Sequence, residues 1–215
     1  MGYYSEVILG STVIISAVIG AVRFQRILKS YRPFIYLIWL SVLNEIVSFL
    51  SSKFYRTNAP NSNIYVLIEF YLILLLFHAW LPGKKKVHIW LAVSLTSVWI
   101  IDNLFIHSIL EFNSAFIILA GFVTVYFSIN QINILLFSET RNLFTNSKFL
   151  ICLTFLIYFS YSATVEVFYL IKIDFSEWFY HNLFLVLVFV NLFANIMYAL
   201  ATLWIPTKQK FTLLY

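Results

Sequence analysis

Four acidic residues, Glu45, Glu69, Asp102 and Glu166, stand inside long apolar runs of this chain. Counting about 1.5 Å per helical residue from the end of each run puts each of them roughly 7–10 Å below the same face. An ionisable group in hydrocarbon is costly, and it normally faces a bundle interior or a watery cavity. Carboxylates crowded there cannot all carry charge. Such a layer suits a proton, a cation, an amine-bearing ligand or a metal ion. A lone protonated glutamate can instead be polar glue between helices, worth about 0.6–2 kcal/mol. Four at one level favour a shared pocket.

Neighbouring polar residues extend the layer. Ser41, Glu45, Ser48 and Ser52 share one helix face at spacings of three or four, with Asn44 alongside. Tyr65 and Glu69 share another, as do Thr154, Tyr158, Ser162, Glu166 and Tyr169, and then His181, Asn191, Asn195, Tyr198 and Thr202. Faces this polar turn away from lipid, so the second, third, sixth and seventh runs are expected to surround one interior. The candidate ligand- or cation-binding set is Glu45, Glu69, Glu166, Asp102, His181, Asn44 and Tyr65. Asn130, Gln131, Asn133, Asn191 and Asn195 form a second polar group nearer the middle and inner half, which interhelical hydrogen bonding explains without a ligand.

Glutamate and histidine could ligate zinc or iron, but no His-x-x-x-His or His-Glu-x-x-His spacing occurs. Metal ligands would have to converge from separate helices. His78 and His88 lie at the other face and read as interfacial or core residues. No catalytic residue is assigned, because the chain carries no nucleophile signature, phosphate-binding glycine loop or cysteine pair. The lone Cys152 forbids an internal disulfide and reads as a small apolar residue.

The elements that must position these residues are set by composition. The 215 residues are 62% hydrophobic and only 11% charged, against about 25% charged in soluble proteins. Apolar runs recur along the chain, which predicts an all-α, polytopic seven-helix transmembrane bundle forming one domain over 1–215. The expected spans are 6–22, 33–52, 63–81, 87–107, 112–137, 149–171 and 181–205. The first reads as a span rather than a cleavable leader, since Glu6 precedes it and Arg23, Arg26, Lys29 and Arg32 follow.

Basic residues alternate between gaps. Arg23, Arg26, Lys29, Arg32, Lys84, Lys85, Lys86, Arg141, Lys148, Lys208 and Lys210 follow the odd-numbered helices, and only Lys53, Arg56 and Lys172 occupy the other side. That bias predicts the N-terminus outside and the C-terminus in the cytoplasm. It also accounts for the net charge of +5 without nucleic acid, since the bases form no patch or stripe. Prolines fall at helix edges and glycine is scarce, so the helices are expected to be unbroken, which counts against a broken-helix transporter. Similar endings at Trp80-Leu81-Pro82 and Trp204-Ile205-Pro206 hint at a duplicated triple-helix unit. Tryptophan and proline at a membrane boundary explain them equally.

Seven spans invite comparison with the rhodopsins, but the seventh has no lysine to hold retinal, so no retinal is expected and the cofactor is open. Abundant Phe, Ile, Asn and Tyr point to an AT-rich microbial genome and a bacterial inner membrane. With short gaps and no soluble domain, the chain reads as a sensor-like binding protein or accessory subunit whose partners are the bilayer and another membrane protein. A proton- or cation-coupled transporter of a small solute is the alternative, and a membrane-embedded metal hydrolase acting on lipid a third.

Overall fold

A computed structural model describes residues 9–81, 83, 85–138, 142–171 and 176–207. Glu6, Pro82, Lys84, Arg141, Lys172, Lys208 and Lys210 lie outside the described residues. The fold is all-helical, and one isolated antiparallel bridge, Ile27 with Thr207, is its only β pairing among them.

The described residues form, in order, α1 (Val13–Arg23), α2 (Arg32–Tyr55), α3 (Ala59–Trp80), α4 (Lys85–Ile101), α5 (Ser114–Ser138), α6 (Ser147–Ile171) and α7 (Glu177–Trp204). Among the described residues six helical segments are long and apolar enough to cross a membrane, α4 counted with its extension to Ile106. A hydrocarbon core of about 30 Å needs about 20 residues. The 11 residues of α1 fall short of that by themselves.

Local chemistry sets the helix ends. Pro33 and Pro60 occupy the first turns of α2 and α3, where a missing N–H costs no hydrogen bond. Arg56 takes the left-handed conformation (φ 59°) and terminates α2. Asn58 precedes α3, and Ser176 caps α7 by accepting from the Phe179 N–H. At the far end of α7, the Arg23 guanidinium donates to the carbonyls of Thr202 (2.6 Å), Leu203 and Ile205 (3.0 Å). A cation there satisfies the orphan carbonyls and opposes the negative end of the helix dipole.

The helices form a ring in which α1 packs on α2 and α7, α2 on α3, α3 on α5, α5 on α6, and α6 on α7. α4 sits outside it, against α3 and α5. One end of the bundle gathers the described bases Arg23, Arg26, Lys29, Arg32, Lys85, Lys86 and Lys148. It is tied together there by the Leu28 N–H to the Pro206 carbonyl (3.3 Å) and by the Lys148 ammonium over the Trp80 ring (5.6 Å). The half of the interior nearer that end is filled with aromatic rings. Tyr198 meets Phe34 (5.5 Å) and Phe155 (6.0 Å), Phe155 meets Phe77 (6.2 Å), and Phe77 stacks on Phe127 (5.4 Å). Phe34, Phe77, Phe127 and Phe155 are essentially unexposed.

The helices are not all unbroken. Residues 9–10 are helical, but Ser11 and Thr12 form a turn before α1 resumes. There the Thr12 N–H bonds the Leu9 carbonyl (3.4 Å) and the Ile14 N–H bonds that of Ser11 (3.0 Å), three residues back instead of four. The expectation of uninterrupted helices fails because an internal partner supplies the missing bond: Asn195 on α7 donates to the Gly10 carbonyl (3.1 Å) and to Thr12 Oγ1 (3.1 Å). Proline and glycine content gave no sign of it. A second irregularity follows α4, where Asp102–Ile106 forms a π-turn.

Candidate functional site

The irregular stretch before α1 faces the middle of the ring. Beside it lies a polar cavity of about 80 Å³ lined by Gly10, Val13, Ser41, Asn44, Glu45, Tyr65, Glu69, Tyr158, Asn191, Ala194, Asn195 and Tyr198. These residues come from α2, α3, α6 and α7, with α1 closing one side. Non-helical backbone at membrane depth is tolerated where it borders a cavity or is satisfied by protein, and here both conditions hold.

The cavity brings together Asn44, Glu45, Tyr65 and Glu69 of the sequence-derived set. Glu166, Asp102 and His181 are not among its lining residues. The difference is one of depth. α2 runs on to Tyr55 and α3 begins at Ala59, so Glu45 and Glu69 each stand ten residues from the helix end, about 15 Å in. Glu166 is five residues from the end of α6, about 7.5 Å. It accepts a hydrogen bond from Ser114 Oγ (2.6 Å), joining α6 to the first turn of α5. Asp102 pairs with His107 Nδ1 (2.9 Å) while its carbonyl accepts the His107 N–H (2.8 Å), which closes the π-turn. His181 is exposed in the first turns of α7.

Inside the cavity the polar groups form a chain. Tyr65 Oη lies 2.8 Å from Glu69 Oε1 and 3.1 Å from Ser41 Oγ, and Ser41 Oγ lies 3.0 Å from the Leu37 carbonyl. With Glu69 ionised, Tyr65 donates to it. With Glu69 protonated, Glu69 donates to Tyr65, Tyr65 to Ser41, and Ser41 to the Leu37 carbonyl, each hydroxyl being used once. The chain therefore serves both states without an orphaned donor. Asn44 is held by Asn61, whose Nδ2 donates to Asn44 Oδ1 (2.8 Å) and Ser48 Oγ (3.0 Å).

Glu45 is different. Among the described residues nothing donates a hydrogen bond to its carboxylate, and the only ion pair is that of Asp102 with His107. A Cβ on Gly10 would lie 3.1 Å and 3.2 Å from the two Glu45 oxygens, so the absent side chain at position 10 is what admits the carboxyl group. Among the described residues no lysine, arginine or histidine lines the cavity.

Sequence reasoning did not assign Gly10, Tyr158, Asn191, Asn195 or Tyr198 to the pocket. The polar faces of the sixth and seventh runs contain four of them, and following those faces to the same depth as Glu69 would have added them. Gly10 gave no signal beyond its rarity. Among the described residues no group of three or more His, Cys, Asp or Glu side chains is placed to hold a metal ion. At the basic end, His78 and His88 lie edge to face (5.4 Å) and His88 stacks on Phe127 (5.0 Å), so both belong to the aromatic core.

No family model, no curated protein and no solved structure matches the chain. The fold and composition define the class: an apolar helical bundle compatible with a multi-pass membrane protein.

Proposed function

We propose that this chain is a multi-pass membrane binding protein that takes a small positively charged group between Glu45 and Glu69. The observation that carries this is a cavity that holds, among the described residues, two carboxylates from different helices and no basic side chain. A half-buried carboxylate at membrane depth with no basic side chain beside it is costly, and a proton or a cation relieves that cost. Size narrows the choice. Organic ligands occupy about 300–1,000 Å³, whereas 80 Å³ holds a few waters, a bare cation or an ammonium head. A sugar or a whole lipid does not fit.

The bias of bases toward one end supports a cytoplasmic basic end and a cavity opening toward the outer side. A bacterial inner membrane is the compartment the composition favours. With only short gaps between its described helices, the protein acts as a sensor-like protein or accessory subunit through a partner in the membrane. The aromatic filling between cavity and basic end supports binding over passage.

One observation favours the alternative, a proton- or cation-coupled transporter: the first helix breaks beside the cavity, as helices do at transporter binding sites. Calorimetry of methylammonium with protein in lipid nanodiscs tests the main reading. Saturable binding is expected in the wild type, with at least about a tenfold loss in Glu69→Gln. Binding that is absent, or indifferent to Glu69, rejects it. Methylammonium uptake into vesicles that depends on Glu69 would move the assignment to the transporter.

A further inference from the structure

Between α1 and α2 the outer surface carries an almost wholly apolar groove of about 240 Å³. Ile14, Val42, Ile46, Phe49 and Leu50 form its walls, and Ile14, Ile46 and Leu50 are exposed on the surface that meets lipid. Along α2 it extends from residue 42 to residue 50, about 12 Å. Val13 and Glu45 line both this groove and the polar cavity. Two side chains thus separate a lipid-facing trough from a carboxylate-bearing hollow.

We propose that the ligand is a membrane-dissolved amphiphile, a long-chain primary amine. Its ammonium enters the cavity beside Glu45 while its chain stays in the groove between α1 and α2. This rests on the cation-binding reading above and names the molecule that brings the charge. Volume divides the ligand between the two spaces. The cavity takes the head and nothing more, and the groove is the adjoining space able to take a chain.

Charge chooses among headgroups. Among the described residues the groove has one ionisable side chain, the Glu45 carboxyl, and neither lining contains a lysine, arginine or histidine. A phosphate or fatty-acid headgroup would meet uncompensated repulsion there. An ammonium offers three donors to the oxygens of Glu45, Glu69, Asn44 and Asn191. The chain gains little from the groove, because it leaves hydrocarbon for a surface equally apolar. Selectivity therefore lies in the head, and the groove supplies a lateral route that never crosses bulk water.

The test is photolabelling of the full chain in phosphatidylcholine vesicles with a long-chain primary amine carrying a mid-chain diazirine, mapped by peptide mass spectrometry. Label is expected to concentrate on residues 13–14 and 42–50. Excess dodecylamine should block it and dodecanol should not. It should fall by about tenfold in Glu45→Gln and persist in Glu166→Gln, a carboxylate outside the cavity. Label spread evenly over the lipid-facing helices, or focal label that survives Glu45→Gln, overturns the proposal. Methylammonium calorimetry on the same preparation separates the two levels. If methylammonium binds and the label is diffuse, only the amphiphile inference fails; if neither result appears, the cation-binding reading fails with it.

Discussion

Replacing Asn195 by leucine isolates the hydrogen bonds that hold the break before α1. The two side chains are close in volume, so packing around the 5% exposed position is nearly conserved. What is lost is one amide donating to two acceptors at 3.1 Å, the Gly10 carbonyl and Thr12 Oγ1. Thr12 keeps a bond of its own to the Leu9 carbonyl (2.7 Å), so the loss falls on Gly10. Interhelical hydrogen bonds in membranes average about 0.6 kcal/mol and reach about 1.7. A buried carbonyl left without a partner costs about 1–3 kcal/mol. The expected loss is therefore about 1–1.7 kcal/mol, the overlap of these ranges. Unfolding by sodium dodecyl sulfate in mixed micelles, followed by tryptophan fluorescence, measures it, and hydrogen exchange should quicken over residues 9–14. A change below about 0.5 kcal/mol, the scale of ordinary surface substitutions, with unaltered exchange would show that the turn does not depend on α7.

Other outcomes follow from the same geometry. The two hydrogens of Asn63 Nδ2 are shared among Asn103 Oδ1 and the carbonyls of Ile109 and Glu111, and its Oδ1 accepts the Asn113 N–H; Asn63→Leu should cost about 2–4 kcal/mol in the same unfolding assay, several membrane hydrogen bonds at once. Gly10→Ala places a methyl against the Glu45 carboxyl at 3.1–3.3 Å and should weaken methylammonium binding severalfold by calorimetry, with little change in stability. Glu166→Gln should leave that affinity within about twofold, because the residue is tied to Ser114 rather than to the cavity. His107→Ala should cost at most about 1 kcal/mol, as expected of a pair whose histidine is 45% exposed, and should not alter binding.

How much of this was legible in the sequence depends on the kind of signal. Long apolar runs gave the helices, and spacings of three and four gave the polar faces of α2, α3, α6 and α7. The depth of each acid was not legible, because it is counted from helix ends that local caps decide. Extending α2 to Tyr55 and starting α3 at Ala59 drops Glu45 and Glu69 well below Glu166. Asp102 looked like a pocket member because its partner, His107, lies five residues on, a spacing that meets only when the helix widens into a π-turn. The break at Ser11 and Thr12 was hidden because its cause is a distant side chain, Asn195, rather than a local breaker.

In the proposed site, Glu45 and Glu69 act on one bound positive charge. A double-mutant cycle on methylammonium affinity in nanodiscs tests it, using Glu45→Gln, Glu69→Gln and the pair. Two carboxylates serving one cation should be strongly coupled: each single change costs about tenfold or more, and the double change little beyond the worse single one. Effects that simply multiply, or a single substitution without effect, would contradict a shared site.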